Sequence, residues 1–302
     1  MRVIFMGTPE FAVPTLKVLN ETEEILCVVT QPDKPKGRGH KLQPPPVKIF
    51  AEQNKIPVLQ PTKLKSPEVI EQLAAFQADF IVVVAYGKIL PQSILDLPKV
   101  ACVNVHASLL PKYRGAAPIE WSIINGEKFT GITTMKMDAG LDTGDMLLTT
   151  KIKIGDEMNL PELKDILSVE GAKLLQETLK NFNDITPIKQ NDSASTYAPM
   201  LTKETGRIDW TKSAREIHNL VRGLYGGAFM TINGEKFKIW RTKVFTAEKL
   251  PAGEIKIDGK KFFVGTGDGV IEILELQAPN SKKMDAANYL LGHKITAKNF
   301  GD

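Results

Sequence analysis

The first two-thirds of the chain alternate short apolar runs with segments of helical periodicity. Buried strands are predicted where a run is apolar on both faces, at 2–7, 24–31, 79–87 and 101–107. Helices are predicted at 11–20, 67–76, 117–127 and 159–182, and two further strands at 131–140 and 145–154. This alternation is typical of an α/β domain built on a mainly parallel sheet.

The helix predicted at 159–182 has an apolar face at helical spacing. That face consists of Leu163, Ile166, Leu167, Leu174, Leu175 and Leu179. Asn159 and Glu162 stand three residues apart at its start, which is the spacing of a capping box. A long, well-packed helix is therefore expected after the last predicted strand of the α/β domain.

The pattern changes near residue 190. Residues 190–206 are polar and aperiodic, which predicts a linker, and a short helix is expected near 213–224. Short strands separated by Gly and Asp-Gly turns follow, which is typical of a small β-barrel. The predicted organisation is a first domain at 1–189, a linker at 190–206 and a second domain at 207–302.

Composition narrows the class of protein. The 302 residues are 42% hydrophobic and 25% charged, as in soluble proteins, and the longest apolar run, 80–85, is too short to span a bilayer. The N-terminus begins a strand directly and lacks signal-peptide features. Cys27 and Cys102 lie in apolar runs, which favours reduced thiols in the cytoplasm. The four histidines are too scattered for a structural zinc site.

The net charge of +4 is unevenly distributed along the chain. Residues 207–302 hold 16 basic and 11 acidic residues, a net charge of +5, so the rest of the chain is close to neutral. The excess is either an ordinary solvated face or a surface that binds a polyanion.

Polar side chains interrupt the strand predicted at 101–107. Asn104 and His106 stand two residues apart, so both point to one face of the strand. A loop with Pro111, Arg114 and Gly115 follows at once. Ligands of open α/β sheets bind at the carboxyl ends of strands, so this pair is a candidate site rather than two ordinary core residues.

A carboxylate partner is offered by the segment 137–146. It contains Asp138, Asp142 and Asp145, and the spacing alone does not choose among them. The neutral alternative is a polar turn in which aspartates cap backbone amides, and it suits Asp138 and Asp145. Gly140 and Gly144 flank Asp142 and would let the backbone approach a ligand closely.

An amide, an imidazole and a carboxylate favour direct acyl transfer. The chain has no G-x-S-x-G elbow, Ser108 lies on an irregular turn, and Cys102 faces the pair only if the strand is regular. The amide and imidazole would stabilise the oxyanion of a tetrahedral intermediate. The carboxylate would orient the imidazole and help to accept a proton from an attacking amine.

Two further segments are candidates for binding anions. Residues 7–11, GTPEF, follow the first strand without a dinucleotide fingerprint, and are read as a tight turn or as amides that meet an anion. Residues 31–48 are too rich in Pro and Gly for a simple turn and carry five basic residues against one acid. Together with the basic C-terminal third, this predicted loop favours a large nucleic-acid substrate.

Five motifs together resemble those of the methionyl-tRNA formyltransferases. They are FMGTPEFAVPTL, TQPDKPKGRG, VVVAYGKILP, NVHASLLPKYRGAAPIEW and TGITTMKMDAGLDTGDML. The resemblance extends through RIDW and TGDGVIEILELQ, so it covers essentially the whole chain. It implies a Rossmann-like formyltransferase domain with a mainly parallel sheet, followed by an OB-like β-barrel that binds tRNA.

The resemblance also implies an activity and a set of site residues. The activity is transfer of the formyl group of 10-formyltetrahydrofolate to the α-amine of methionyl-initiator tRNA, without a metal, by a cytoplasmic monomer. The implied catalytic residues are Asn104, His106 and Asp142. The implied folate contacts are Ser108, Leu109, Leu110, Pro111, Tyr86, Gly87, Ile89 and Leu90. The implied tRNA contacts are Lys34, Lys36, Arg38 and Lys41.

One departure from the family pattern lies at 223–236. Gly226 and Gly227 stand where a proline-containing run is expected, which bears on the local loop geometry and on a tRNA contact. Three alternative functions stay open at this point. They are formyl transfer to a small amine such as a sugar nucleotide or glycinamide ribonucleotide, hydrolysis of formyltetrahydrofolate, and RNA binding without catalysis.

Overall fold

The computed structural model describes residues 1–36, 41–245, 249–293 and 295, which divide between two compact units. The first unit consists of Met1–Pro118, Phe129–Lys153 and Lys164–Pro199. The second consists of Ile119–Lys128, Ile154–Leu163 and the chain from Met200 onward. Two short segments of the N-terminal half, Ile119–Lys128 and Ile154–Leu163, therefore belong to the second unit. The domain boundaries at 189 and 207 stay a prediction.

The strands of the first unit run from the N-terminus to residue 198. They are β1 (Arg2–Gly7), β2 (Glu24–Val29), β3 (Lys34–Lys36), β4 (Lys41–Gln43), β5 (Val58–Leu59), β6 (Phe80–Val84), β7 (Ala101–His106), β8 (Arg114–Gly115), β9 (Phe129–Lys136), β10 (Met146–Lys153) and β11 (Tyr197–Ala198).

The helices of the N-terminal half connect these strands. They are α1 (Val13–Thr22), α2 (Pro46–Gln53), α3 (Pro67–Ala75), α4 (Gln92–Leu95), α5 (Pro118–Ile124) and α6 (Leu160–Lys180), with short 3-10 turns at Glu10–Ala12 and Asp192–Ala194. The predicted capping box is present, because Asn159 and Glu162 exchange hydrogen bonds at the start of α6. The prediction that Ile166 lies on the buried face was wrong, since it is 37% exposed.

A seven-stranded sheet forms the centre of the first unit. Its order is β10-β9-β7-β6-β1-β2-β5, and the strands from β7 to β5 are parallel. β9 pairs antiparallel with β7, and β10 pairs antiparallel with β9. All residues of β6 and β7 are buried, as expected of central parallel strands covered on both faces. This confirms the predicted Rossmann-like domain with a mainly parallel sheet.

The segment predicted as a long basic loop has secondary structure of its own. β3 and β4 pair as an antiparallel hairpin, and α2 begins at Pro46. The prolines concealed this helix in the sequence, although proline is well suited to the first turn of a helix. Lys48 lies in α2, and its ammonium group contacts the Asp33 carboxylate at 2.9 Å. Lys48 therefore serves the fold locally.

The second unit contains an antiparallel sheet and two helices. Its elements are α7 (Ala214–Leu224), β12 (Phe229–Ile232), β13 (Glu235–Phe245), β14 (Ile255–Asp258), β15 (Lys261–Gly265), β16 (Val270–Gln277), β17 (Met284–Asp285) and α8 (Ala286–Gly292), after a 3-10 turn at Glu204–Gly206. The sheet order is β12-β13-β16-β15-β14, with β17 paired to β16. This OB-like half-barrel confirms the predicted class of the C-terminal domain.

Gly226 lies where the sequence departs from the expected proline-containing run. Its φ is +85°, in the left-handed region that favours glycine. A Cβ atom at Gly226 would collide with the ring of Trp240, which packs against it. The glycine thus leaves room for an aromatic residue of β13. Among the described residues, no helix is both long enough and apolar enough to cross a membrane.

Candidate functional site

The carboxyl end of β7 carries the first two site residues. β7 lies between β6 and β9, with Asn104 opposite Val83 on one side and Met135 on the other. Asn104 is 9% exposed and His106 is 5% exposed. Within the described part of the chain, the Asn104 side chain makes no hydrogen bond, so its amide is available to a ligand.

The His106 ring is held on one side by a backbone carbonyl and faces a carboxylate on the other. Its Nε2 lies 2.9 Å from the carbonyl oxygen of Tyr113. A carbonyl only accepts, so Nε2 carries a hydrogen. Nδ1 lies 3.6 Å from Oδ2 of Asp142, which is too long for a hydrogen bond. Two groups that can accept a proton therefore face each other across a narrow gap.

Asp142 is fixed by its own backbone and by a neighbouring amide. Its φ of +53° is uncommon for a residue with a side chain, although aspartate tolerates it better than most residues do. The backbone N–H of Gly115 donates to Asp142 Oδ2 at 2.8 Å. The side chain is 14% exposed, so the carboxylate is sheltered but accessible.

The other two aspartates of this segment have different roles. Asp138 accepts hydrogen bonds from the backbone of Gly140 and from the hydroxyl of Thr143, so it caps its own turn. Asp145 is exposed. Gly144 approaches the carbonyl of Lys136 so closely that any Cβ would collide with it. Gly144 was expected to let the backbone approach a ligand. In the structure, its lack of a side chain instead allows close packing against the Lys136 backbone.

The loop after β7 supplies the first group of predicted folate contacts. Ser108 is fully buried, and its carbonyl oxygen accepts a hydrogen bond from Thr133 Oγ1. Leu110 is 6% exposed, and its N–H donates to the same hydroxyl. Leu109 and Pro111 are half-buried. β9 therefore anchors this loop through a single threonine.

The segment after β6 supplies the second group of predicted folate contacts. Tyr86 and Leu90 are buried in the core of the first unit, where burial raises the pKa of Tyr86 to about 12. The Tyr86 carbonyl accepts a hydrogen bond from Thr8. The exposed members of this group are Gly87, whose φ is +83°, and Ile89, which is 71% exposed. The folate contacts stay a prediction.

The GTPEF segment behaves as a tight turn. A Cβ at Gly7 would lie 2.7 Å from the ring of Phe5 and 3.0 Å from Val84 O, so glycine is required by packing. The segment continues into the 3-10 turn Glu10–Ala12 rather than directly into α1.

The predicted tRNA contacts lie in and around the β3–β4 hairpin. Lys34 is exposed at the start of β3. Lys36 and Lys41 occupy strand positions, but their side chains are not among the described parts of the structure. Arg38 lies outside the described residues. The hairpin therefore displays one described basic side chain, and the tRNA contacts stay a prediction.

Several groups that hold the site together were not predicted. The Tyr113 carbonyl and the Gly115 N–H are backbone groups, which carry no signal in a sequence. Gln190 lies in the segment predicted as a linker, and its amide donates to the Asp142 carbonyl at 2.8 Å. Among the described residues, no group of three or more metal-ligating side chains is clustered.

Comparison with known proteins gives a consistent result along the chain. A sequence model described as formyl transferase matches residues 1–179, and one described as formyl transferase, C-terminal domain, matches 200–294. A methionyl-tRNA formyltransferase of Acetivibrio thermocellus is 52% identical over 98% of this chain and 97% of its own length. The same enzyme of Ruminiclostridium cellulolyticum is 50% identical, covering 98% and 97%.

The chain belongs to the methionyl-tRNA formyltransferase family. Formyl transfer is the chemistry of this family, and it is the one-carbon reaction expected from the sequence. A sugar 3N-formyl transferase, WlaRD, solved with dTDP and 5-N-formyl-THF, has a TM-score of 0.69 over 93% of this chain and 99% of its own. At 20% identity that likeness concerns the fold alone. The whole-chain identity of about half distinguishes the methionyl-tRNA formyltransferase family from its sugar-modifying relatives.

Proposed function

We propose that this methionyl-tRNA formyltransferase acts through Asn104, His106 and Asp142 on the formyl group of 10-formyltetrahydrofolate and the α-amine of methionyl-initiator tRNA. The observation that carries the proposal is the approach of His106 Nδ1 to Asp142 Oδ2 at 3.6 Å, next to the Asn104 amide, which has no hydrogen-bond partner among the described residues. The names of the relatives supply the acceptor, and the motif resemblance supplies the donor.

The first step is attack of the amine nitrogen on the formyl carbon. Asn104 can donate its amide N–H to the oxygen on which negative charge develops. His106 lies one inward-facing position further along β7, so it can support the same oxygen or exchange a proton beside it. Asp142 Oδ2 is the acceptor that faces Nδ1 of His106, and it takes part in removing the proton from the attacking nitrogen.

Direct transfer is favoured because nearby nucleophiles are disabled. Burial raises the pKa of Cys102 to about 12, which keeps it a thiol. The hydroxyl of Ser108 donates to the Lys112 carbonyl at 2.6 Å and is fully buried. A covalent formyl-enzyme would need one of these groups to be free. The tetrahedral intermediate then collapses with departure of tetrahydrofolate.

The folate donor is assigned to the first unit, and the tRNA to the β3–β4 hairpin and to the OB-like unit. Folate is proposed to lie against the loop after β7 and the surface offered by Gly87 and Ile89. The β3–β4 hairpin, with exposed Lys34, is proposed to meet phosphates of the tRNA acceptor end. The basic C-terminal unit would bind the rest of the tRNA. We extend the proposal to a monomeric enzyme of the cytoplasm, where buried Cys27 and Cys102 stay reduced.

A formylation assay tests the proposed reaction. Purified protein with 10-formyltetrahydrofolate should formylate methionyl-initiator tRNA and discriminate against the elongator methionyl-tRNA. Asp142→Asn should lower kcat by roughly 100-fold or more, because the variant keeps the size of the side chain but loses the proton acceptor. Folding should be unchanged by circular dichroism.

Three outcomes would contradict the proposal. Formylation of an amino sugar nucleotide in place of the tRNA would identify a sugar enzyme. Release of formate without an acceptor, at the full rate, would identify a hydrolase. Binding of tRNA with no product would leave RNA binding as the function.

A charge reversal tests the tRNA surface. Lys34→Glu should raise KM for the tRNA several-fold, more at low salt than at high salt, and leave KM for the folate donor unchanged. Lys17→Glu, a reversal at an exposed position in α1, is the matched control. Equal increases in KM for both substrates would argue against a docking role for the hairpin.

A further inference from the structure

The segment from Gln190 to Ala198 lies beside the reacting groups, yet it falls between the two family matches, which end at 179 and begin at 200. It belongs to the first unit and ends in strand β11, which pairs in parallel with β8. Its pairing places Tyr197 opposite Arg114 and Ala198 opposite Gly115. A segment that reads as a polar linker therefore pairs with the strand that carries Gly115, and two of its side chains, Gln190 and Thr196, bond the backbone of the site.

Both N–H groups and the carbonyl oxygen of the Gln190 side-chain amide are hydrogen-bonded. Its Nε2 donates to the carbonyl oxygens of Asp142 at 2.8 Å and of Gly144 at 2.7 Å. Its Oε1 accepts from the guanidinium Nε of Arg114 at 3.0 Å. The reverse orientation would set its N–H groups against a guanidinium, so the network fixes the amide in one way round. Gln190 is 5% exposed, which leaves it no face for a substrate.

These bonds act on the backbone that aims the catalytic carboxylate. Asp142 adopts φ +53°, and a residue with a side chain keeps such a conformation where its surroundings stabilise it. Gln190 donates to the carbonyls of Asp142 and Gly144, so it links the two ends of the turn at 142–144. The Gly115 N–H then completes the arrangement by holding Oδ2.

The segment 190–198 also contacts the backbone that holds His106, through Thr196. The hydroxyl oxygen of Thr196 accepts the backbone N–H of Tyr113 at 2.9 Å, and the Thr196 carbonyl accepts the N–H of Arg114 at 2.9 Å. Tyr113 adopts φ +60°, and its carbonyl holds Nε2 of His106. The Thr196 carbonyl therefore holds the peptide that orients the ring, and the Thr196 hydroxyl holds the N–H of the same Tyr113 residue.

We propose that Gln190 and Thr196 are positioning residues for the reaction, Gln190 acting through Asp142 and Thr196 acting on His106 through the backbone of Tyr113. This inference rests on the proposed function, since it gives the pair a role in formyl transfer. Neither side chain touches a reacting atom. Their effect is to keep Nδ1 of His106 and Oδ2 of Asp142 facing each other.

Kinetics of single variants give the first test. Gln190→Ala and Thr196→Val should each lower kcat roughly 10- to 100-fold, the usual cost of removing a group that orients a reacting residue. KM for both substrates should change less than about threefold. Thr196→Ser keeps the hydroxyl and should restore most of the rate. Asn191→Ala is the matched control, because its side chain bonds only Ser193 among the described residues, and it should keep the wild-type kcat.

A double-mutant cycle separates positioning from general stabilisation. If Gln190 works through Asp142, the pair Gln190→Ala with Asp142→Asn should be no slower than Asp142→Asn alone. Multiplied losses, a wild-type kcat in Gln190→Ala, or failure of Thr196→Ser to restore the rate of Thr196→Val would overturn the inference.

The outcome is distinguishable from failure of the proposed function. That function fails if the wild-type protein makes no formyl-methionyl-tRNA. In that case a crystal structure of Gln190→Ala still tests the inference: Asp142 should leave its left-handed conformation and Oδ2 should lose the Gly115 N–H. An unmoved Asp142 would overturn the positioning role whatever the substrate.

Discussion

Two buried histidines, one in each unit, have closely similar surroundings and opposite consequences. His106 is 5% exposed, with Nε2 on a backbone carbonyl and a carboxylate 3.6 Å from its other nitrogen. His218, on α7, is 3% exposed, with Nε2 3.3 Å from the Asp156 carbonyl and 3.7 Å from the Glu157 carboxylate. A search for buried histidines near acids would select both.

The difference lies in the second ring nitrogen. Nδ1 of His218 lies 2.9 Å from the hydroxyl of Thr242, which can donate to it. With a hydrogen on Nε2, the neutral His218 ring is therefore fully satisfied by the protein. Nδ1 of His106 faces Asp142 Oδ2, an acceptor, so the neutral ring is left unsatisfied on that side. The protein itself supplies partners for both ring nitrogens of His218, whereas Nδ1 of His106 is left for a substrate.

The acids differ in the same sense. Glu157 is 76% exposed and free to turn into water, whereas Asp142 is 14% exposed and held by a backbone N–H. Burial lowers the pKa of His218, partly offset by Glu157, while Arg222 and Arg215 lower it further. His218 is thus built to stay neutral within the fold. The comparison teaches that the satisfaction of both ring nitrogens, rather than burial, separates a structural from a reactive histidine.

The largest expected effect comes from removing the imidazole at the reactive position. His106→Gln should lower the formylation rate by roughly 1,000-fold, equivalent to about 4 kcal/mol of barrier, because both proton transfer and oxyanion support are lost. The free energy of unfolding should change by about 1 kcal/mol or less, since glutamine can still donate to the Tyr113 carbonyl. Single-turnover formylation and urea unfolding measure the two quantities.

Retention of tRNA binding is the control for His106→Gln. The variant should bind methionyl-tRNA with the wild-type Kd, because the His106 ring is buried and is not one of the exposed basic side chains proposed to meet tRNA phosphates. A variant that forms product at more than a tenth of the wild-type rate would remove the distinction between the two histidines.

Part of the site around His106 could be predicted from the sequence. The period of two within β7 places Asn104 and His106 on one face, and the alternation of strands and helices places that face at the carboxyl edge of the sheet. Local spacing treats Asp138, Asp142 and Asp145 alike. Only the motif resemblance selected Asp142, and its catalytic role stays a prediction; in the structure its carboxylate lies 3.6 Å from the His106 ring.

The remaining parts of the site depend on contacts far apart in the chain. Gln190 bonds a carbonyl 48 residues away, and the Tyr113 carbonyl and Gly115 N–H are backbone groups that any residue could offer. The helix α2 was missed for a different reason, because prolines at its start resembled a loop. His218 gave no signal at all, since its partners come from Thr242 on β13 and from Asp156.

The same substitution at the satisfied histidine should have the opposite outcome. His218→Gln should lower the free energy of unfolding by about 2 kcal/mol, because the bonds to Thr242 and Asp156 are buried and glutamine cannot reproduce both. The formylation rate per folded molecule should stay within about twofold of the wild type. Urea unfolding and active-site titration measure these quantities.

Thr242→Val is the matched variant for His218→Gln. It removes the hydroxyl that satisfies Nδ1 and should cost about 1 to 2 kcal/mol of stability, again with the rate preserved. A loss of rate in either variant that exceeds the loss of folded protein would show that the second histidine also serves the reaction.

The smallest expected effect is a change in pH dependence. The pKa of His218 is lowered from its ordinary value of 6.5, chiefly by burial, so the unfolded chain binds a proton at a higher pH than the folded protein does. The contribution of His218 is fully present above pH 6.5 and is lost as the pH falls from there through the folded pKa. The wild type should therefore lose more stability between pH 7.5 and 5.5 than His218→Gln, while the carboxylates and other histidines cancel in the difference. Parallel curves would mean that the folded protein accepts the proton on His218 at no cost, and would contradict the assignment of His218 as a histidine that stays neutral in the fold.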